Sequence, residues 1–175
     1  MSGHAVCTMT EEDIATVAAI ELLSFSHTAI VAPDGLAPTP EARLREELAR
    51  PWSHSWVIRG ENTQAVSFLV AWHVADEVHV LNVAVHPAHR RRGRGAALLA
   101  HVIEFARTKQ ARHLLLEVRR SNTSAIRMYR AAAFFVTGVR RRYYPDDEDA
   151  VEMALLLDPR TGEIARRTDE VSLDA

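Results

Sequence analysis

The sequence predicts a mixed α/β sandwich, and three observations carry that prediction. The first is the order of elements: two helical segments, three strands, then helix, strand, helix and two more strands. The second is spacing. The three early strands lie too close together for crossover helices, so they form an antiparallel meander. The third is bulk. The chain has 175 residues and 47% of them are apolar, enough for one domain with its own core.

Each element has a local reason. Met9 to Leu23 is helical, with Thr10 as N-cap, Asp13 three residues on, and apolar residues recurring at Ile14, Val17, Ala18 and Ile20. Residues 27–38 carry Pro33, Asp34, Gly35 and Pro38 and read as a loop. Thr39 caps a second helix, with Pro40 in its first turn and a stop before Pro51. Ser55 to Arg59, Ala65 to Val74 and Val78 to Val85 are strands. Ala96 to Arg107 is an amphipathic helix with Leu98, Leu99, Val102, Ile103 and Phe105 on its apolar face. His113 to Val118 is an apolar strand broken only by Glu117. Ser121 or Asn122 caps a helix to about Ala132, and Phe134 to Tyr144 and Val151 to Leu157 are the last strands. The tail after Asp158 is polar, with room for a short helix. The expected division is a domain over 1–157 and a polar C-terminal tail over 158–175.

Composition excludes several functions. No apolar run nears the roughly 20 residues that cross a bilayer, and Met1 to Thr10 lacks the pattern of a signal peptide. No membrane partner and a cytoplasmic location are therefore expected. A single cysteine, Cys7, forbids an internal disulfide and reads as a small buried or terminal residue rather than a nucleophile. No metal is expected: the nine histidines show no ligand spacing, and Pro87 argues against one helix presenting both His86 and His89. Net charge is −2, but residues 90–142 hold 14 of the 21 basic residues and only two acids, Glu104 and Glu117. That stretch suits an anionic ligand, the alternative being a solvated arginine-rich face. Few aromatics interleave with the arginines of 90–94, so nucleic acid is at most an incidental partner.

The strand ending at Val83-Ala84-Val85-His86-Pro87 leads into Arg90-Arg91-Arg92-Gly93-Arg94-Gly95 and then Ala96. Strand, glycine-containing loop and helix N-terminus make a phosphate cradle, because the backbone can turn its N–H groups inward at the positive end of the helix dipole. No Gly-Lys-Ser/Thr follows, so this is not a P-loop, and the third glycine of the dinucleotide fingerprint is absent.

Arg90-x-x-Gly93-x-Gly95 resembles the acyl-CoA motif of the GNAT superfamily of N-acetyltransferases. Leu116-Glu117-Val118-Arg119, Ser121-Asn122, Ala125, Met128-Tyr129, Arg140-Arg141, Tyr143-Tyr144-Pro145 and Asp149-Ala150-x-x-Met153 resemble the RimI-type branch. That branch acetylates the N-terminal alanine of a small-subunit ribosomal protein. The resemblance covers about residues 77–157, and more loosely 8–26. It implies a central, mostly antiparallel sheet, splayed at the fourth and fifth strands, with helices on both faces and acetyl-CoA as co-substrate.

The resemblance also implies roles. Backbone N–H groups of Val83 and Val85, on either side of Ala84, would hold the acetyl carbonyl and pantetheine. Those from Arg91 to Ala96, with Arg90, would hold the pyrophosphate, and Asn122 would lie beside the pantetheine. Glu117 would take the amine's proton through water, and Tyr129 would protonate the sulfur. Phe25, Tyr143 and Tyr144 would line the acceptor site. Alternatives stand beside these roles: an ion pair to an arginine for Glu117, core packing for Tyr129, a helix cap for Asn122. Tyr143 and Tyr144 would alternate across a strand, so only one would reach the acceptor.

Three features depart from the family pattern, one of them the arginine crowding of the glycine loop, with Arg94 between Gly93 and Gly95. Ala133 stands where the family usually has glycine, which would be strained at positive φ. The 27–40 loop, which in the family walls the acceptor site, is longer. An α-amine titrates near 8 and a lysine near 10.4, so roughly a tenth of the former but only a few ten-thousandths of the latter is free base at neutral pH. A protein N-terminus is thus the expected acceptor. A lysine or small amine is the alternative within the same chemistry, and a non-catalytic acyl-CoA-binding domain is the alternative of another class.

Overall fold

Thr10 and Thr39 set where the first two helices begin. In the computed structural model, which describes residues 4–25 and 38–173, the Thr10 N–H donates to Asp13 Oδ2 at 3.0 Å. A single 3-10 turn, Glu11–Asp13, then opens into α1, Ile14–Ser24. Thr39 Oγ1 accepts from the Ala42 N–H at 3.2 Å and starts α2, Pro40–Ala49. Most of the long loop between these helices, residues 26–37, lies outside the described residues.

The strands are β1, Val6–Thr8; β2, Ser53–Arg59; β3, Ala65–Val74; β4, Glu77–Val85; β5, His113–Arg119; β6, Phe135–Arg140; β7, Ala150–Leu157; and β8, Ile164–Ala165. They form one mixed sheet in the order β1-β2-β3-β4-β5-β7-β6, with β8 added to β7. Helices α3, Arg94–Thr108, and α4, Thr123–Ala131, flank β5 in sequence. By contacts the chain divides into two compact units, residues 1–72 with 82–101, and residues 73–81 with 102–175.

In the first unit β1 pairs β2 and β2 pairs β3, both antiparallel. Its core joins Ile14, Val17 and Ile20 of α1 to Leu44 of α2 and to Val57, Phe68 and Val70 of the sheet. Val17 and Phe68 have no solvent exposure, and each such side chain contributes roughly 1.5–3 kcal/mol by burial. Glu21 of α1, 7% exposed, is held by Arg43 of α2 at 2.9 Å, which ties the two helices together.

In the second unit β4 and β5 are parallel, from Glu77–His113 to Val80–Leu116, where the ladder ends. Glu117 is therefore the first residue of β5 past its pairing with β4. The other edge of β5 stays fully paired to β7, antiparallel, from His113–Leu156 to Arg119–Ala150. The tail carries a two-residue strand, β8, where the sequence left room for a short helix. It continues along β6, where the Glu170 N–H donates to the Val136 carbonyl at 2.8 Å and the Val136 N–H to Asp169 Oδ1 at 2.8 Å. An exposed sheet edge is thereby covered.

Candidate active site

The cradle lies in the first unit. Ala84 belongs to the hydrophobic core, so the side chains of Val83 and Val85 point to the opposite face of β4. The Arg90 guanidinium donates from Nε to the Val85 carbonyl at 3.0 Å, closing the end of the strand. Gly93 has φ +75 and accepts the first helical bond, from the Ala97 N–H at 2.9 Å. The N–H groups of Arg94, Gly95 and Ala96 thus open α3, where no intrahelical acceptor exists.

Gly95 already lies in α3, which begins at Arg94, two residues before the start at Ala96 read from the sequence. Arg91 joins Gly93 in the left-handed region, with φ 58. A Cβ on Gly93 would meet nothing within 4 Å, so the loop face there is open to a ligand. Arg90, Arg91 and Arg92 are exposed, and no carboxylate pairs with any arginine of 90–94 among the described residues. An open loop, a helix N-terminus and four cations free of carboxylates fit a pyrophosphate.

Elsewhere in the basic stretch several arginines pair with carboxylates. Arg107 pairs with Glu104, Arg112 with Asp76, Arg120 with Asp149 and Arg130 with Asp169. Pro87 does not prevent a helical turn at His86 and His89. A 3-10 turn, Pro87–His89, begins at that proline, whose missing N–H costs nothing at a first helical position, and the two rings meet at 5.6 Å. No group of three metal-ligating side chains occurs among the described residues. Cys7 is exposed on β1.

The second unit holds Glu117, Tyr129, Asn122, Tyr143 and Tyr144. Glu117 is one-third exposed, and each of its oxygens has a partner: Arg140 Nη1 at 2.9 Å from Oε1 and the Tyr143 hydroxyl at 2.6 Å from Oε2. Arg140 also donates from Nε to Glu152 Oε1 at 2.7 Å. The ion pair considered for Glu117 is thus present, with Arg140. Glu152 was missed by sequence reasoning, although it interrupts apolar β7 as Glu117 interrupts apolar β5.

Tyr129 is 7% exposed. Burial, with a smaller contribution from Tyr144, pushes its phenol up to about 12, so it stays a proton donor. Its placement comes from the end of α4. The Ala133 N–H donates to the Arg130 carbonyl and the Phe134 N–H to the Tyr129 carbonyl, at 2.9 and 3.0 Å, a Schellman closure. The Phe134 ring packs on Tyr129 at 5.8 Å between centroids. Ala133, at the pivot, has φ 73, the strained conformation that its substitution for glycine implied. Asn122 Oδ1 accepts from the Ala125 N–H at 3.1 Å, the helix cap.

Tyr143 and Tyr144 are not on a strand. β6 ends at Arg140, Arg142 turns left-handed at φ 51, and the two rings pack edge to face at 5.2 Å. Both therefore stand in one cluster instead of on opposite faces. Tyr144 lies under the Arg119 guanidinium at 4.0 Å, and Arg119 grips Asp146 and Glu148 of the turn. Tyr143 is 43% exposed. Phe25, at the end of α1 in the first unit, packs on that unit's core.

The family model for the acetyltransferase (GNAT) family matches residues 17–134, about two-thirds of the chain. The chain belongs to this family. A relative, the [ribosomal protein bS18]-alanine N-acetyltransferase of Escherichia coli K12, is 40% identical over 98 residues, 54% of this chain and 66% of that one. The matched segment thus spans just under two-thirds of that relative's length. The crystal structure of the ribosomal-protein-S18-alanine N-acetyltransferase from Escherichia coli superposes with a TM-score of 0.71 at 26% identity, covering 96% of this chain and 97% of that one. A Salmonella typhimurium protein solved with its cofactor acetyl-CoA gives a TM-score of 0.73 at 25% identity, covering 88% and 94%.

Proposed function

We propose that this GNAT enzyme transfers acetyl from acetyl-CoA to the N-terminal α-amine of a protein, the alanine of ribosomal protein bS18. The observation that carries the reading is Glu117, an exposed carboxylate at the point where β5 leaves its partner β4. In this reading Glu117 accepts the proton of the amine. Tyr129, held protonated by burial, supplies a proton to the departing sulfur. Backbone N–H groups of Val83 and Val85 face the charge that develops on the acetyl oxygen, and the 90–96 cradle with Arg90 anchors the pyrophosphate. Asn122 borders the pantetheine, while Phe25, Tyr143 and Tyr144 border the acceptor. The bS18 acceptor is supported by the names of the relatives and by the readier deprotonation of an α-amine.

The test combines Glu117→Gln and Tyr129→Phe with a peptide beginning in alanine. Each change is expected to lower kcat by about 10²–10⁴-fold. Undiminished turnover in both variants rejects the catalytic assignments. Mass spectrometry of the bS18 N-terminus, incubated with enzyme and acetyl-CoA, tests the acceptor. Acetylation of lysines or small amines in preference to that terminus rejects it.

A further inference from the structure

Five residues of the second unit form one connected chain. Glu117 of β5 and Glu152 of β7 are direct cross-strand partners, and so are Glu152 and Gly138 of β6. A Cβ on Gly138 would lie 2.5 Å from Glu152 Oε2, so glycine makes room for that carboxylate. Glu152 binds Arg140, Arg140 binds Glu117 Oε1, and Tyr143 donates to Glu117 Oε2.

Two consequences follow. Arg140, shared between two carboxylates, fixes the orientation of Glu117. The Tyr143 hydroxyl sits on the remaining oxygen, so an ammonium approaching Glu117 Oε2 meets the phenol oxygen first. That oxygen is amphoteric: it donates to Glu117 and still has lone-pair capacity to accept.

We propose that Tyr143 is a catalytic proton relay between the acceptor amine and Glu117, with Arg140 and Glu152 as positioning residues. This rests on the reading of Glu117 as the base, and it puts a phenol where water was expected. One proton leaves the ammonium for the Tyr143 oxygen as the phenolic proton passes to Glu117 Oε2. The amine becomes neutral, Glu117 becomes a carboxylic acid and Tyr143 is unchanged. The hydrogen bond to Glu117 also raises the Tyr143 phenol, so the relay rests in its protonated form.

The test uses Tyr143→Phe and Glu117→Gln in the full chain. Two acceptors are compared: a peptide beginning in alanine, and the same peptide with an aminooxy N-terminus, whose amine is free base at neutral pH. With the alanine peptide, Tyr143→Phe is expected to lower kcat by on the order of 10²-fold with acceptor KM within twofold of wild type. With the aminooxy peptide, its turnover should return to within about threefold of wild type. An unchanged kcat, a loss confined to KM, or a kcat loss that the aminooxy peptide does not repair overturns the relay. Glu117→Gln reports separately. If it keeps full turnover on the alanine peptide, the base assignment fails. If it loses turnover while Tyr143→Phe does not, the base stands and the relay falls.

Discussion

Glu117 and Glu152 face each other across β5 and β7, and one guanidinium, that of Arg140, binds both. Like charges directly opposite on neighbouring strands repel. Arg140 reverses that sign, which makes a carboxylate tolerable on an otherwise apolar strand.

Arg140→Gln should therefore lower the melting temperature at neutral pH by scanning calorimetry, because it leaves the two carboxylates facing each other. Adding Glu152→Gln should recover part of the loss. A double variant no more stable than the single one would show that charge repulsion is not the cause.

Ala133→Gly should stabilise the protein. A side chain at φ 73 costs about 1–2 kcal/mol, partly offset by the greater freedom of glycine when unfolded. A gain of about 1 kcal/mol in urea unfolding is expected, with the Schellman closure retained. A loss of stability would mean that Ala133 makes contacts worth more than the strain.

Gly93→Ala should do the reverse at the cradle. Its Cβ has space, but φ +75 is unfavourable for alanine by about 1–2 kcal/mol. If the loop relaxes, its N–H groups turn away, and coenzyme A binding by calorimetry should weaken about tenfold. Unchanged affinity would remove Gly93 from the binding assignment.

The three tyrosines predict an alkaline limit. Burial pushes Tyr129 and Tyr144 up to about 12, and the bond to Glu117 raises Tyr143. Unfolded phenols titrate near 10. The native state therefore holds these protons more tightly. The resulting stabilisation is complete below about pH 10 and is lost as pH rises from about 10 toward about 12. Urea midpoints should hold to about pH 9 and then fall, more shallowly in Tyr129→Phe. Tyrosinate absorbance growing near pH 10 with the fold intact would contradict this.

Much of the fold is legible in the residues because its signals are local. Thr10, Thr39 and Asn122 cap helices where their side chains compete for backbone N–H groups, and hydrophobic period separates α3 from β3. β1 and β8 escape such reading. They have three and two residues, and partners supplied by distant chain create them. Tyr143 and Tyr144 continue a strand-like pattern, yet Arg142 breaks the strand, a backbone choice with no side-chain signature.

The candidate site divides in the same way. The sequence by itself determined the cradle, because its parts are consecutive, and it marked Glu117, because a charge inside an apolar strand needs a partner. Its resemblance to the family added Tyr129. Only tertiary structure decided which partner Glu117 has. Register places Glu152 opposite it, a glycine on the next strand makes room for that carboxylate, and a turn brings Tyr143 to its second oxygen. Those relationships depend on strand pairing between segments far apart in sequence, where no local periodicity reports them.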